Sequence, residues 1–175
     1  MDREKVLIVG KGPSFRQIEF DGKVACLNGA VNYYPNADWL FVNDMSAFGE
    51  IDTMDGVGTI VLPTWLHCDV RGKKKVPHEA SPAPRDKVRT YCLHTAPERS
   101  LPYFGRIMSV GETAVCWLLR DGYRKFETVG IDPKGGYHKK FKGGQQTAKP
   151  KRHFKENWQL IEIRVLTAGG EIKRI

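Results

Sequence analysis

The chain has no apolar run long enough to cross a membrane. Its charged start, MDREK, precedes only VLIVG, which is too short for the core of a signal peptide. A soluble, cytoplasmic protein is expected. The four cysteines, Cys26, Cys68, Cys92 and Cys116, include no CxxC pair, which excludes a zinc knuckle. Cys26 and Cys116 sit in apolar patterns and are predicted to be buried, reduced thiols. His67-Cys68-Asp69 has no second cluster at ligand spacing, so no metal site is predicted. No internal repeat or second domain is visible, and 175 residues are enough for one domain with a real core.

Two nucleotide fingerprints are also missing. The turn Gly10-Lys11-Gly12-Pro13-Ser14 begins like G-x-G-x-x-G, but Phe15 occupies the third glycine position. A P-loop needs Ser or Thr after its Gly-Lys, and here Gly12 follows.

What is present is a series of short apolar runs: 5–9, 24–28, 39–44, 58–63, 88–93 and 126–132. They are nearly continuous rather than alternating, as in strands covered on both faces. The predicted fold is a single α/β domain, Rossmann-like, with a mostly parallel sheet and helices on both faces. Ser109 and Glu112 form a capping-box pattern, so a helix is predicted over 109–123, with Gly122 suited to its C-terminal end. Phe154, Trp158, Ile161 and Val165 predict a second helix over 154–168, ended by Gly169-Gly170. Residues 64–87, with three prolines, read as an irregular surface loop.

Charge is divided sharply along the chain. Residues 134–175 hold eleven Lys/Arg against three Asp/Glu, whereas residues 1–133 hold seventeen of each. The densest part, within 134–155, is basic and Gly-rich, a flexible, lid-like segment that would attract phosphates of a nucleotide or a nucleic acid.

In a parallel sheet, ligands bind beyond the carboxyl ends of the strands. Gly10 and Gly12 would let a backbone approach a ligand and turn free amides towards a phosphate; a plain tight turn is the alternative. Asn28, Asn43, Asp44 and Asp132 all end predicted strands. Asn offers a donor and an acceptor to a sugar hydroxyl or base edge, although Asn and Asp are also common wherever a strand enters a loop.

The ordered set of GxGPS, Cys26-Leu27-Asn28, Phe41-Val42-Asn43, Ser109-Val110-Gly111, Gly122-Tyr123 and Gly130-Ile131-Asp132 resembles the bacterial sialyltransferases of glycosyltransferase family 42. Their wider relatives include MptE-like domains and small phage proteins, and a phage origin would suit so small a copy. The resemblance covers most of residues 1–132 and is thin between 64 and 105. It implies a metal-independent glycosyltransferase with no resident cofactor, taking a CMP-sugar-like donor as co-substrate. Gly10, Lys11, Gly12, Pro13, Ser14, Asn28, Asn43, Asp44, Ser109, Gly111 and Asp132 would line the donor site. It also implies a lid whose tyrosine and histidine act on donor and acceptor. Here the matching segment offers Tyr137, His138 and His153, with His153 as first choice for general base. Lys11 departs from the family's usual Asn, and the lid is short.

Two other classes fit the same residues. An MptE-like pyrophosphokinase would use ATP and Mg²⁺, with Asp44 and Asp132 as ligands. A nucleic-acid-binding module would rely on the basic segment alone. On the glycosyltransferase reading the acceptor is a glycan or a nucleic acid, and a homo-oligomer is left open.

Overall fold

Val6, Leu7, Ile8 and Val9 have no solvent exposure at all. Such a strand needs neighbours on both edges and cover on both faces, and the fold supplies them. The structure is a computed structural model that describes residues 4–68, 74–91, 109–132, 138–141 and 152–175. Its main sheet has seven strands: β1 (Val6–Val9), β2 (Lys23–Leu27), β3 (Trp39–Phe41), β4 (Thr59–Pro63), β7 (Val88–Tyr91), β8 (Lys125–Val129) and β9 (Glu171–Arg174). They lie in the order β7-β4-β3-β2-β1-β8-β9, and every neighbouring pair is parallel. The chain builds outward from β1 to β7, then crosses back to the other side of β1 and builds outward again. The order therefore reverses between β1 and β8, the place where a doubly wound sheet opens a crevice at its carboxyl ends.

Among the described residues, two α-helices cover one face. α1 (Val110–Arg120) opens with both bonds of the predicted capping box: the Glu112 N–H donates to Ser109 Oγ, and the Ser109 N–H donates to Glu112 Oε2, each at 3.3 Å. α2 (Arg152–Thr167) buries Trp158, Ile161 and Val165 against α1 and the sheet. Leu160, Ile163 and Leu166 stand on its exposed side. The other face has a different cover. The core residues Leu7, Val9, Cys26, Leu40, Ile60 and Leu62 pack there against Phe15, Val31, Phe48 and their neighbours. Among the described residues this face carries short 3-10 helices, chiefly Asn28–Tyr33 and Met45–Glu50, rather than α-helices. The Rossmann-like sheet and its helices stand as the sequence led us to expect, but the helices on the two faces are of two kinds.

Three segments correct the sequence reading. The predicted third strand ends at Phe41, leaving Asn43 and Asp44 beyond it. Part of the supposed loop 64–87 is an antiparallel pair, β5 (Trp65–His67) with β6 (Lys75–Pro77). Buried Leu66 anchors that pair, but three-residue strands are too short to show a period. β9 was not expected either. It is an edge strand whose Ile172 packs on the core, and its Lys173 and Arg174 are exposed.

Candidate functional site at the strand-order reversal

The turn after β1 and the turn after β8 are bonded directly to each other. Gly10 N–H donates to Val129 O at 2.8 Å, and Gly12 N–H donates to Gly130 O at 2.7 Å. The Ser14 N–H and hydroxyl both donate to Asp132 Oδ2 at 2.9 Å, while Ser14 Oγ accepts from Gly130 N–H at 3.1 Å. A Cβ on Gly10 would collide with the Gly130 carbonyl, and one on Gly12 would collide with the Asp132 carboxylate. The two glycines are thus required by the contact between turns. Their amides are bonded within the protein, not turned outward, and the Asp132 carboxylate holds the anion position at Ser14. Pro13 completes the turn and is exposed.

Lys11 is buried, and its ammonium pairs with Glu50 at the end of the second 3-10 helix. A buried lysine needs such a partner, because an uncompensated charge in a core costs several kcal/mol, about 3–5 when one partner of a buried pair is removed. The Lys11 carbonyl accepts from His138 N–H at 2.8 Å. This places the described piece of the basic segment, 138–141, on the glycine turn. Phe15 is the hub: its ring lies 5.0 Å from Tyr33, 4.7 Å from Phe141 and 5.7 Å from His138. Lys140 sits over the Tyr33 ring at 5.5 Å. The residue that spoils the dinucleotide fingerprint is the one that docks the basic segment. His138 Nδ1 accepts from Lys140 N–H at 3.3 Å, which leaves Nε2 as the protonated, donating nitrogen.

Asn28 follows β2 with φ of 53°, the left-handed region that Asn tolerates better than most residues. Its Oδ1 is buried and has no hydrogen-bond partner among the described residues. Gly111, in the first turn of α1, lies beside the side chains of Leu27 and Ile131, the residues that precede Asn28 and Asp132 in the chain. Asn43 belongs to a second group. It is buried and accepts at Oδ1 from the Tyr91 hydroxyl at 2.5 Å. Tyr91 Oη also lies 3.5 Å from Thr113 Oγ1, which donates to the Ser109 carbonyl at 3.2 Å. Burial pushes the Tyr91 phenol well above its ordinary range, so it remains a neutral donor. Asp44 heads the second 3-10 helix, its carbonyl accepting from Ala47 N–H at 3.1 Å.

β8 and β9 are parallel neighbours joined through α2, so α2 runs back against them and begins at the carboxyl end of the sheet. His153, in its first turn, is therefore at the crevice end of the molecule. Tyr137 lies outside the described residues, as do 133–136, 142–151, Cys92 and Asp69.

Glu50, Tyr91 and Thr113 were not expected in the site. Nothing local marks Glu50. The one signal for it is indirect: an apolar setting around Lys11 demands an acid from elsewhere.

No protein-family model matches the chain, and no curated protein is significantly similar to it. Among solved structures, the chain is similar to an X-ray structure of a mutant of the alpha-2,3/8-sialyltransferase CstII, with a TM-score of 0.54 and 14% identity. The similarity covers 97% of this chain and 80% of that one. At that identity the likeness concerns the fold.

Proposed function

We propose that this chain is a glycosyltransferase that binds a nucleotide-sugar donor in the crevice between β1 and β8 and passes the sugar to an acceptor hydroxyl. Asn28 carries the reading. Its buried oxygen has no partner among the described residues and follows the carboxyl end of β2, the strand beside β1; a donor N–H or O–H of a base or sugar would satisfy it. The sialyltransferase-like fold supports the same placement. The start of α1 at Ser109–Gly111 suits the donor phosphate, since helix N-termini favour negative charge. The glycine turn sets the close packing that shapes the crevice. His138 is assigned a donating role at Nε2, towards the leaving phosphate, and Tyr137, its neighbour in the sequence, is assigned the same task. His153 is assigned the role of general base on the acceptor hydroxyl.

The test is thermal stability of the protein with CMP, UMP, GMP, AMP, CMP-sialic acid and UDP- and GDP-sugars, with and without Mg²⁺. A ligand at 100 times its dissociation constant adds about 2.7 kcal/mol. Selective stabilisation without metal, reduced about tenfold in affinity by Asn28→Ala, supports the proposal. Loss of turnover in His153→Ala with donor affinity kept supports the base. Stabilisation by ATP only with Mg²⁺ would replace the reading with pyrophosphoryl transfer. Steeply salt-dependent DNA binding without any nucleotide effect would leave a basic binding module.

A further inference from the structure

A cleft of about 520 Å³ lies along β7, whose outer edge has no strand partner among the described residues and which is separated from β1 by β4, β3 and β2. Its volume falls in the usual range for small-molecule sites. The chemistry of its walls is one-sided. Arg85 and Arg89 line it, and both are exposed. The Arg85 guanidinium has no hydrogen-bond or ion-pair partner among the described residues. Arg89 donates once, to the Val88 carbonyl at 3.0 Å. The only acid in the described lining, Glu79, is held 3.3 Å from His78 Nδ1.

Two further donors lie at the back. The Tyr91 carbonyl accepts from Thr64 N–H on the β4 side, so the alternation of the strand turns the Thr90 backbone towards the open edge. Trp117 also lines the cleft. It is 7% exposed, and its indole N–H has no hydrogen-bond partner among the described residues. A buried N–H left unpaired is uncommon and calls for an acceptor. The Trp117 ring is itself fixed, with the Arg120 guanidinium 4.0 Å from its centroid and Tyr91 packed at 6.4 Å.

We propose that this cleft is a second binding site, for a small organic anion bearing a phosphate or a carboxylate. Arg85 and Arg89 grip the charged group. Guanidinium forks match both oxyanions in geometry, and charge-assisted bonds of this kind are about twice as strong as neutral ones. An oxygen on the body of the ligand accepts from Trp117 Nε1.

The test titrates the full chain with glucose 6-phosphate, glucuronate and glucose, following calorimetry and tryptophan fluorescence. The expected result is binding of at least one of the two anions and none of glucose. The better anion identifies the charged group. Arg85→Ala/Arg89→Ala should weaken the binding by about tenfold or more, given the strength of hydrogen bonds to charged groups. Both side chains are exposed, so the fold is kept. Trp117→Phe should weaken it less and abolish the fluorescence change. Lys155→Ala, an exposed lysine on α2, is the charge control and should bind as the parent does. Equal binding of glucose, binding of neither anion, or undiminished affinity in the arginine pair variant overturns the proposal.

Discussion

The two faces of the sheet are covered by different kinds of structure. The α1–α2 face is regular. Its cover is made of long amphipathic helices whose apolar residues recur at helical spacing, and Trp158, Ile161 and Val165 are almost wholly buried. Among the described residues, the opposite face is covered chiefly by two short 3-10 helices and by extended chain. Asn28 and Asp44, which lie beyond strands and open those helices, are there, and so are Glu50, Phe15 and Tyr33. A 3-10 helix longer than a few residues is a poor stabilising unit, because its hydrogen bonds are strained. It can, however, turn polar groups back to the strand ends within a few residues. The helical face buries a regular core, and the 3-10 face carries Asn28, Asp44 and Glu50 beyond the strands.

The comparison can be broken most directly from the helical side. Trp158→Ala empties a large buried volume between α2, α1 and the sheet, and should cost about 3–5 kcal/mol in urea unfolding. A loss below about 1 kcal/mol would mean that α2 is dispensable to the core.

On the other face, the largest effect should come from the Lys11–Glu50 pair. Lys11→Met leaves the carboxylate without its partner and should cost about 2 kcal/mol, discounted because Glu50 is partly exposed. Glu50→Gln in the same chain should recover much of that loss. Additive losses in the double variant would show that the two side chains are not coupled.

Phe141→Ala removes one ring of the trio that docks residues 138–141. Global stability should fall by only about 1 kcal/mol, since Phe141 is half-buried. Amide exchange at His138 and Phe141 should quicken far more than exchange in β1. Equal changes in both would mean that the segment opens only with the whole fold.

The smallest effect treats the faces alike. Cys26 is buried on the 3-10 side and Cys116 on the helical side, and burial raises both thiols. A raised folded value means that this contribution is complete below the unfolded thiol value, about 8.5, and is lost as pH rises above it. Cys26→Ala and Cys116→Ala should each flatten the decline of stability above about pH 9. An unchanged alkaline slope in both would show that other groups set it, Tyr91 first among them.

The reasons that parts of this fold were legible are physical. Central strands are apolar along their whole length because both faces are covered, and Leu7, Leu40 and Ile60 show it residue by residue. α1 was legible because its cap is local: Ser109 and Glu112 are three positions apart. The 3-10 helices and the β5–β6 pair have too few residues to carry a period. In the site, Gly10, Gly12, Asn28 and Asp132 could be singled out as strand-end residues. Their partners could not, because Lys11 meets Glu50 across 39 positions, Tyr91 meets Asn43 across 48, and Ser14 meets Asp132 across 118.

The amino-acid sequence by itself determined the parallel sheet, the capped helix and the basic character of the C-terminal part, since each follows from periodicity, local hydrogen bonding or composition. Only the tertiary structure decided that the glycine turn bonds its own amides, that Phe15 seats the basic segment, and that Asn28 is left with an unsatisfied oxygen. Those are contacts between chain segments far apart in order, and chain folding, not local preference, sets which of them meet.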